Sequence, residues 1–577
     1  MILGISCYYH DAAACLLVDG KLIAAAEEER FTRKKHDSSF PVHAIEYCLQ
    51  KAGVTMKDVE HVVFYEKPLL KFERLLFQHI YAFPKSLWLF VRTIPHWLSD
   101  KLRIHYTLKK LKYRGPVYFI HHHLAHAAAS YLGSPFEQAA ICTVDGVGEW
   151  TTTAVGYADG NKIELKKHIQ FPHSLGLLYS AVTAYLGFSV NNSEYKVMGL
   201  APHGNPEIYK EHFKKLISWK TDGSYRLDMS YFDFHWSDHM FSSKFLGLFG
   251  PQRKPESELL QKHKDIAASL QWVVEEILMT MLNCLYLETR CENLVMGGGV
   301  ALNSVANGKI LSKTPFKNLW IHPNATDGGS SIGAAWYLHN VIFGQKRWRF
   351  SNPFLGPSFT DDEVKNFLET NRVHYHKFAS REELIERTAD IIWDNKVVGW
   401  FQGGMEWGPR ALGARSILSN PCNPDMREIL NLKVKHREPF RPFAPVVCHE
   451  DALTYFECDT PIPEPTDYML MVYPIRQEYR EKIPSVTHVD GSGRLQTIRR
   501  ELHPLYYDLI KSFGRRSGIP ILINTSFNIR GEPIVCAPFD AFRCMMGTEI
   551  DCLVMGSFLI WRHENLKDSW DSEVCLD

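Results

Sequence analysis

Four side chains in the first part of the sequence could together bind a divalent metal ion. His122 and His126 stand in the run HHHLAHAAAS, which reads as the start of a helix. Residues four apart on a helix share one face, so both imidazoles can reach the same ion. Asp145, in a glycine turn downstream, and Asp327, in a later glycine-rich loop, add carboxylates. This ligand set suits iron, manganese or zinc, although a histidine pair without a metal is also frequent.

Glycines beside predicted strands indicate a second kind of site. Gly297, Gly298 and Gly299 follow the apolar run NLVM and precede a predicted helix, which would let a nucleotide approach the backbone closely. A flexible turn is the alternative interpretation. The sequence contains no G-x-x-x-x-G-K-[ST] motif, so bound ATP would require another fold.

The C-terminal part concentrates cations beside prolines and aromatic residues. Four clusters share this character, and they occupy residues 407–416, 433–443, 486–497 and 522–533. Arginine and lysine held between rigid neighbours suit a phosphate site, because their positions are fixed before the anion arrives. An ordinary salt-bridged surface is the alternative for any single cluster, and four clusters together favour a phosphate site.

The elements that must position these residues alternate in an α/β pattern. Residues 2–26 read as three strands joined by a polar turn and by the hairpin signal Asp19-Gly20. A strand, an acidic glycine turn and a second strand recur at residues 139–156, which predicts a duplicated core. Apolar residues at helical spacing predict a long helix from Glu258 to Leu287.

Length and composition predict two domains. A chain of 577 residues is too long for one hydrophobic core. Residues 346–358 are basic and then rich in proline, glycine and serine. We therefore predict a linker there, between a first domain of residues 1–345 and a second α/β domain of residues 359–577.

Bulk charge and cysteine usage exclude several classes of protein. Lys+Arg and Asp+Glu both number 65, so nothing draws the whole chain to nucleic acid or to an acidic membrane. Thirteen cysteines without a C-x-x-C pair predict reduced thiols rather than a disulfide framework or a zinc knuckle. No secretory leader and no transmembrane segment are predicted, so we expect a cytoplasmic protein.

Residues 67–114 depart from the global neutrality, because this segment is basic and carries interleaved aromatic residues. A solvated helical pair that packs its aromatic side chains on the first domain is the favoured interpretation. A partner protein, an anionic acceptor or a membrane surface are the alternatives.

The motifs, taken in order, resemble the O-carbamoyltransferase family, which includes the tobramycin, cephalosporin and novobiocin carbamoyltransferases and the nodulation protein NodU. The resemblance covers essentially the whole chain. One departure is Pro439, where the family carries tryptophan. The resemblance rests on His10-Asp11, residues 27–36, His122 with His126, residues 145–149, 194–202, 297–303, 408–413, 437–442 and 524–528.

The resemblance implies a duplicated actin/sugar-kinase-like N-terminal domain and a YrdC-like C-terminal domain. It further implies that carbamoyl phosphate and ATP, with magnesium, give carbamoyladenylate in the second domain. The carbamoyl group would then pass in the first domain to a hydroxyl of a small-molecule acceptor, such as a natural product or a glycan. No nucleic acid partner is expected, and a homodimer is compatible with the family.

The resemblance also implies residue roles. The metal, expected to be iron with manganese or zinc as alternatives, would be bound by His122, His126, Asp145 and Asp327. The adenylate would be held by Lys196, Gly297, Gly298, Gly299, Asn303 and Gly328. Carbamoyl phosphate would be held by Arg410, Lys435, Arg441, Arg494, Asn524, Ser526 and Asn528. His10, in the first turn, is the candidate general base, assisted by Asp11.

Two other functions remain to be compared with this one. An enzyme that attaches threonylcarbamoyl to tRNA would share the first domain, but the motif at residues 408–413 favours a small-molecule acceptor. A non-catalytic, nucleotide-dependent regulator would keep the fold and lose the ligands. The candidate ligands are present at every site, which favours an enzyme.

Overall fold

The computed structural model describes residues 1–565, apart from the side chains of residues 96, 99 and 100. The chain divides into two compact units. Unit 1 comprises Met1–Glu28 and His36–Phe350, and unit 2 comprises Glu29–Lys35 and the chain from Ser351 onward. The last twelve residues of the predicted second domain lie outside the described range.

Unit 1 contains two five-stranded sheets with the same topology. The first has the order β3-β2-β1-β4-β5 and the second the order β8-β7-β6-β11-β12. In each sheet the first three strands are antiparallel and the other two run parallel to the third. This repetition confirms the predicted duplicated core. The strands are β1 (Ile2–Ser6), β2 (Ala13–Val18), β3 (Lys21–Glu27), β4 (His61–Phe64), β5 (Val117–Phe119), β6 (Gln138–Val144), β7 (Thr151–Asp159), β8 (Lys162–Gln170), β11 (Asn293–Gly297) and β12 (Asn318–Ile321), with β9 (Ile217–Trp219) and β10 (Tyr225–Leu227) forming a separate pair.

Helices pack on these sheets and between them. The predicted long helix is confirmed as α11, with its bounds two to three residues further along the chain. The helices of unit 1 are α2 (Val42–Ala52), α3 (Pro68–Tyr81), α4 (Leu87–His96), α5 (Ile104–Lys110), α6 (His122–Leu132), α7 (Leu175–Tyr185), α8 (Glu194–Leu200), α9 (Lys210–Leu216), α10 (Ser243–Phe249), α11 (Gln261–Thr289), α12 (Ser304–Asn307), α13 (Ile310–Lys313) and α14 (Asp327–Trp336).

Helices α6 and α14 lie against each other in the centre of unit 1. Small residues allow this approach, because a Cβ on Gly333 would lie 2.0 Å from the carbonyl oxygen of Ala125 and 2.9 Å from the Cβ of Ala129. Helix α14 also approaches β1 closely, since a Cβ on Gly4 would lie 2.2 Å from the carbonyl oxygen of Ser331. The helix that begins with Asp327 is thereby fixed beside the helix that begins with His122.

The substitution Gly333→Ala should lower the free energy of unfolding by roughly 1–3 kcal/mol, because the added methyl group meets backbone that cannot move aside. The matched control is Gly247→Ala in α10, where an added Cβ meets nothing within 4 Å. We expect that change to be neutral or to stabilise the protein by up to about 1 kcal/mol, as alanine does in an open helix. Urea unfolding followed by circular dichroism measures both, and equal effects would contradict the packing argument.

Unit 2 is built on one mixed sheet of nine strands in the order β13-β21-β20-β14-β15-β19-β16-β18-β17. Helices α16 and α20 share a buried core with the strands, in which Ile392, Trp400 and Phe513 take part. The strands are β13 (His376–Lys377), β14 (Val398–Phe401), β15 (Arg415–Ser419), β16 (Ala444–Cys448), β17 (Met471–Pro474), β18 (Ser492–Ile498), β19 (Ile521–Ser526), β20 (Cys552–Met555) and β21 (Phe558–Trp561). The helices are α1 (Glu29–Thr32), α15 (Asp361–Thr370), α16 (Arg381–Trp393), α17 (Met426–Glu428), α18 (Ala452–Tyr455), α19 (Gln477–Arg480), α20 (Pro504–Ser517) and α21 (Pro538–Met546).

The segment Glu29–Lys35 is an integral part of unit 2, which the sequence did not indicate. Phe31 packs against an apolar cluster of four buried residues, Met405, Ala411, Ile534 and Cys536. Arg30 donates to the carbonyl oxygen of Gly408 at 3.0 Å, and Arg33 donates to the carbonyl oxygens of Ile534 at 2.7 Å and Pro533 at 2.8 Å. The segment therefore holds two loops of unit 2 through side-chain bonds to their backbone.

Two composition-based predictions can be compared with the described part of the chain. Within residues 1–565, no helix combines the length and the apolar character needed to cross a bilayer. The twelve cysteines in that range have free thiols, as predicted.

Candidate functional site

The structure brings the four predicted metal ligands together in a buried cluster in unit 1. One ligand atom from each of His122, His126, Asp145 and Asp327 lies within 4.8 Å of all the others. The Nε2 atom of His122 is 3.1 Å from Oδ2 of Asp145, and the Nε2 atom of His126 is 3.5 Å from Oδ1 of Asp327. Four nitrogen and oxygen atoms thus converge on one point.

Three of the four ligands are held in place by a neighbouring group. Both carboxylate oxygens of Glu149 accept from the backbone N–H of His122, at 3.0 and 3.2 Å, which places a negative charge at the start of α6. The backbone N–H of Gly299 donates to Oδ1 of Asp145 at 2.8 Å. The hydroxyl of Ser330 lies 2.9 Å from Nδ1 of His126 and leaves Nε2 for the cluster.

The cluster fits a divalent cation. Oδ1 of Asp327 is buried and has no hydrogen-bond partner among the described residues, and such an oxygen is costly unless a cation satisfies it. The Nε2 atoms of His122 and His126 face each other at 3.1 Å, so their lone pairs require a shared proton or ion. The negative charges of Asp145 and Asp327, outweighing burial, raise the pKa of His126 to about 9. Two imidazoles and two carboxylates are ligands that iron, manganese and zinc accept.

The glycines predicted to bind a nucleotide are needed for the close packing of unit 1. A Cβ on Gly298, whose φ is +86°, would lie 2.3 Å from the carbonyl oxygen of Val144, and Gly297 packs as closely on Ser130. The helix predicted after the triplet is short: a 3-10 turn, Gly299–Leu302, precedes the four-residue helix α12. Asn303 is the N-cap residue of α12, and its side chain accepts from the N–H of Ala306 at 3.1 Å.

The other nucleotide candidates are buried in unit 1. Asn303 also exchanges two side-chain hydrogen bonds of 3.0 Å with Gln271. Lys196, on α8, places its Nζ 5.5 Å from the ring centre of Phe188. Gly328 lies in the first turn of α14, where a Cβ would meet Nδ2 of Asn324 at 2.7 Å. Their role toward a nucleotide stays a prediction.

His10 and Asp11 belong to a hydrogen-bond network in the first turn. Nδ1 of His10 is 2.9 Å from Asp11, whose other oxygen is 2.7 Å from His36. Burial disfavours a charged ring, but the carboxylates of Asp11 and Asp327 outweigh it and raise the pKa of His10 to about 10. The ring is therefore a proton donor at neutral pH, and the fraction of it that can act as a base increases as negative charge nearby is neutralised.

In protein stripped of metal, we expect the His10 ring to titrate near pH 10 rather than near 6.5. Because the folded pKa is raised, the stability due to this proton is complete below pH 6.5 and is lost as the pH rises through 10. Asp11→Asn should lower the His10 midpoint in an NMR titration, whereas Asp19→Asn in the following hairpin should leave it unchanged. An unchanged midpoint in Asp11→Asn would contradict this assignment.

Unit 2 brings Lys435 together with Ser526 and Asn528. The ammonium donates to Oδ1 of Asn528 at 2.8 Å, to its carbonyl oxygen at 2.9 Å and to the carbonyl oxygen of Ser526. Burial, with the positive charges of Arg437 and Arg441 nearby, holds the pKa of Lys435 well below its usual value. This ammonium is buried, lies near other cations and donates only to neutral oxygens. The binding of an anion beside it is therefore favourable.

The remaining residues predicted to bind carbamoyl phosphate lie on the strands and loops of unit 2. Arg441 is 3.5 Å from Glu438, and Arg494 lies on β18. Asn524, on β19, donates to the carbonyl oxygen of Ala411 at 3.1 Å and to Gln496 at 2.5 Å. Arg410 is in the loop that precedes β15. Their role toward carbamoyl phosphate stays a prediction.

The sequence did not indicate the residues that fix the metal ligands and the loop after Arg410. The carboxylate of Glu406 accepts from the N–H groups of Leu412, Ala414 and Arg415 at 2.7 to 2.9 Å and fixes the loop after Arg410. Ser330, three residues after Asp327 on a helix, could have been found from that spacing. Glu149 stands in a motif that the resemblance already contained.

Comparison with known proteins agrees with this architecture. Residues 1–336 match the family described as carbamoyltransferase N-terminus, and residues 389–562 match carbamoyltransferase C-terminus. An uncharacterized protein of Synechocystis sp. is 46% identical, with 100% of both chains covered. The nodulation protein NolNO of Sinorhizobium fredii is 36% identical over 98% of this chain and 80% of its own.

Solved structures of low similarity were also found. HypF of T. kodakarensis is 13% identical, with 59% of this chain and 48% of that chain covered and a TM-score of 0.32. The family matches span both units, and the two relatives extend over nearly the whole sequence. This chain therefore belongs to the carbamoyltransferase family and is a transferase enzyme.

Proposed function

We propose that this protein is an ATP-dependent O-carbamoyltransferase that works through carbamoyladenylate. In unit 2, carbamoyl phosphate, ATP and water would yield carbamoyladenylate, phosphate and pyrophosphate. In unit 1, the hydroxyl of a small-molecule acceptor would attack the carbamoyl carbon, and AMP would leave. The observation that carries the proposal is that a chain of this family holds two buried sites of different chemistry, a His/Asp cluster and a cationic lysine site.

The division of labour follows from the chemistry of the carbamoyl group. Its nitrogen donates electron density to the carbonyl carbon, which makes the group a poor electrophile. Attachment to the phosphate of AMP provides a good leaving group. Lys435, whose ammonium is buried beside Ser526 and Asn528, would hold an anionic substrate during adenylation.

Transfer would take place beside the cluster of unit 1. His122, His126, Asp145 and Asp327 would hold a divalent ion, which supplies a Lewis acid for the charge on the departing phosphate. Neutralisation of Asp145 and Asp327 would remove part of the negative charge that raises the pKa of His10. More of the ring would then be neutral and able to accept the proton of the acceptor hydroxyl. Asp11 would orient that ring through its 2.9 Å bond.

The experiment that tests the proposal is the release of AMP and pyrophosphate from ATP. Both products should form only when carbamoyl phosphate is present. Release at the same rate without carbamoyl phosphate, from folded and metal-loaded protein, would refute the adenylate route. A screen of hydroxylated metabolites for the mass gained when a carbamoyl group replaces a hydroxyl hydrogen would then find the acceptor.

A further inference from the structure

The basic segment of residues 67–114 directs two cations into unit 1. Lys71 and Arg74, on α3, are only 4% and 5% exposed. They are one helical turn apart and share the inner side of α3. A cationic side chain is rarely buried unless it has a counter-charge, so both need an anionic partner.

Lys71 has such a partner, whereas none of the side chains that the structure describes forms an ion pair with Arg74. Nζ of Lys71 is 2.5 Å from Oε2 of Glu66 and 4.9 Å from the ring centre of Tyr9. The guanidinium of Arg74 lies 5.0 Å from the ring centre of Phe171. Its Nε and Nη1 atoms are buried and make no hydrogen bond to any described residue.

The carboxylates near Arg74 are already engaged. Glu66 is bonded to Lys71, and Glu149 accepts from the backbone N–H groups of His122 and Lys67. Burial lowers the pKa of Arg74 to about 10, so the group still carries its charge at neutral pH. The unsatisfied Nε–H and Nη1–H groups of a buried guanidinium are costly. They lie on different edges of the planar group, and an oxyanion can accept from either one together with the adjacent Nη2 group.

Tyr9 lies between this part of α3 and the residues around the His/Asp cluster. Tyr9 connects the two regions, since its ring centre is 4.6 Å from that of His10. The Tyr9 ring also lies under the ammonium of Lys71 at 4.9 Å, and a Cβ on Gly146, next to Asp145, would lie 3.9 Å from the hydroxyl oxygen of Tyr9. Arg74 is therefore placed to bind part of a substrate whose other part reaches His10.

We propose that Arg74, supported by Lys71, forms an oxyanion subsite beside Tyr9, and that the acceptor hydroxyl belongs to a molecule carrying a phosphate, sulfate or carboxylate group bound there. This inference rests on the proposed transfer reaction in unit 1. The oxyanion could come from the acceptor or from the phosphate of the adenylate, and the proposal assigns it to the acceptor. Arg74 is thus a specificity-determining residue.

The first test is calorimetric titration of the full-length, metal-loaded protein with methyl phosphate. Lys435→Met is used as the background, so that the lysine site of unit 2 does not take up the probe. We expect Arg74→Gln in that background to weaken methyl phosphate binding at least about tenfold, the loss of a charge-assisted pair of bonds. The control Arg92→Gln, on the neighbouring helix α4 with its guanidinium 2.8 Å from Asp238, should bind as the background does. No binding of methyl phosphate to the background, or equal binding to Arg74→Gln, would overturn the proposal.

A titration with AMP separates the two sources of the oxyanion. We expect AMP to bind Arg74→Gln as tightly as it binds the unsubstituted protein. A tenfold loss of AMP affinity would assign Arg74 to the adenylate and overturn the acceptor subsite. Carbamoyl phosphate-dependent release of AMP is measured in parallel, because its absence from unsubstituted protein would refute the proposed function without affecting anion binding at Arg74.

A measurement without substitution guards against an Arg74→Gln protein that does not fold. Crystals of the unsubstituted protein soaked in selenate should show an anomalous selenium peak beside Arg74, from a selenate whose oxygens accept from Nε or Nη1. Absence of that peak in crystals that show selenate beside Lys435 would overturn the proposal.

Discussion

His126→Ala should abolish carbamoyl transfer to the acceptor, lowering it by at least about 100-fold, while adenylate formation continues. The substitution removes one of four converging ligands. It also removes a positively charged neighbour of Asp327, whose side chain is fully buried. Transfer is measured as mass gain of the acceptor. Adenylate formation is measured as ATP–pyrophosphate exchange in the presence of carbamoyl phosphate.

The matched control is His123→Gln on the same helix. His123 is also buried, but its Nδ1 lies 2.8 Å from the hydroxyl of Thr143 and is not among the cluster ligands. We expect the control to keep its metal content, measured by mass spectrometry of the digested protein, and to keep transfer. Loss of exchange together with transfer in His126→Ala would mean that both steps share one site, and the two-site proposal would be wrong.

Lys435→Met should affect adenylate formation in unit 2 rather than the metal site of unit 1. Carbamoyl phosphate-dependent exchange should fall by at least about 100-fold, since the buried ammonium that attracts the anion is gone. Metal binding in unit 1 should be unchanged. The control is Lys433→Met, an exposed lysine 3.9 Å from Glu549 on the same stretch of chain. Full exchange activity in Lys435→Met would contradict the assignment of this lysine.

The same substitution should raise the thermal midpoint of the unliganded protein. The pKa of Lys435 is depressed in the folded state, so the charged form opposes folding at every pH below the ordinary lysine pKa. Methionine fills a similar volume without that charge. Higher stability with lost activity would indicate that the protein keeps an unfavourable charge for the sake of its substrate.

The duplicated core and the metal ligands could be predicted because local patterns encode them. The strand, polar turn and strand at residues 2–18 depend on short-range alternation, and the His122/His126 pair depends on helical spacing. Convergence with Asp327 was harder to predict, because it requires α6 and α14 to approach closely. That approach depends on Gly333 lying against Ala125, a long-range contact that no local pattern records.

Other features could not be predicted for the same reason. The glycine triplet suggested an open turn for a ligand, yet Gly299 donates to the side chain of Asp145 across 154 positions of sequence. Arg74 stood out only as one cation in a basic segment. Its significance comes from Glu66 and Glu149 being engaged elsewhere, which only the folded structure reveals.

The membership of Glu29–Lys35 in unit 2 limits how the protein can be dissected into modules. A recombinant fragment beginning at Ser351 would leave an empty groove over Met405 and Ile534, where Phe31 belongs. Supplying a synthetic peptide of residues 29–35 should restore such a fragment by complementation in trans. A chimera that exchanges the C-terminal half of this protein must therefore exchange that heptapeptide with it, because the two form one structural unit.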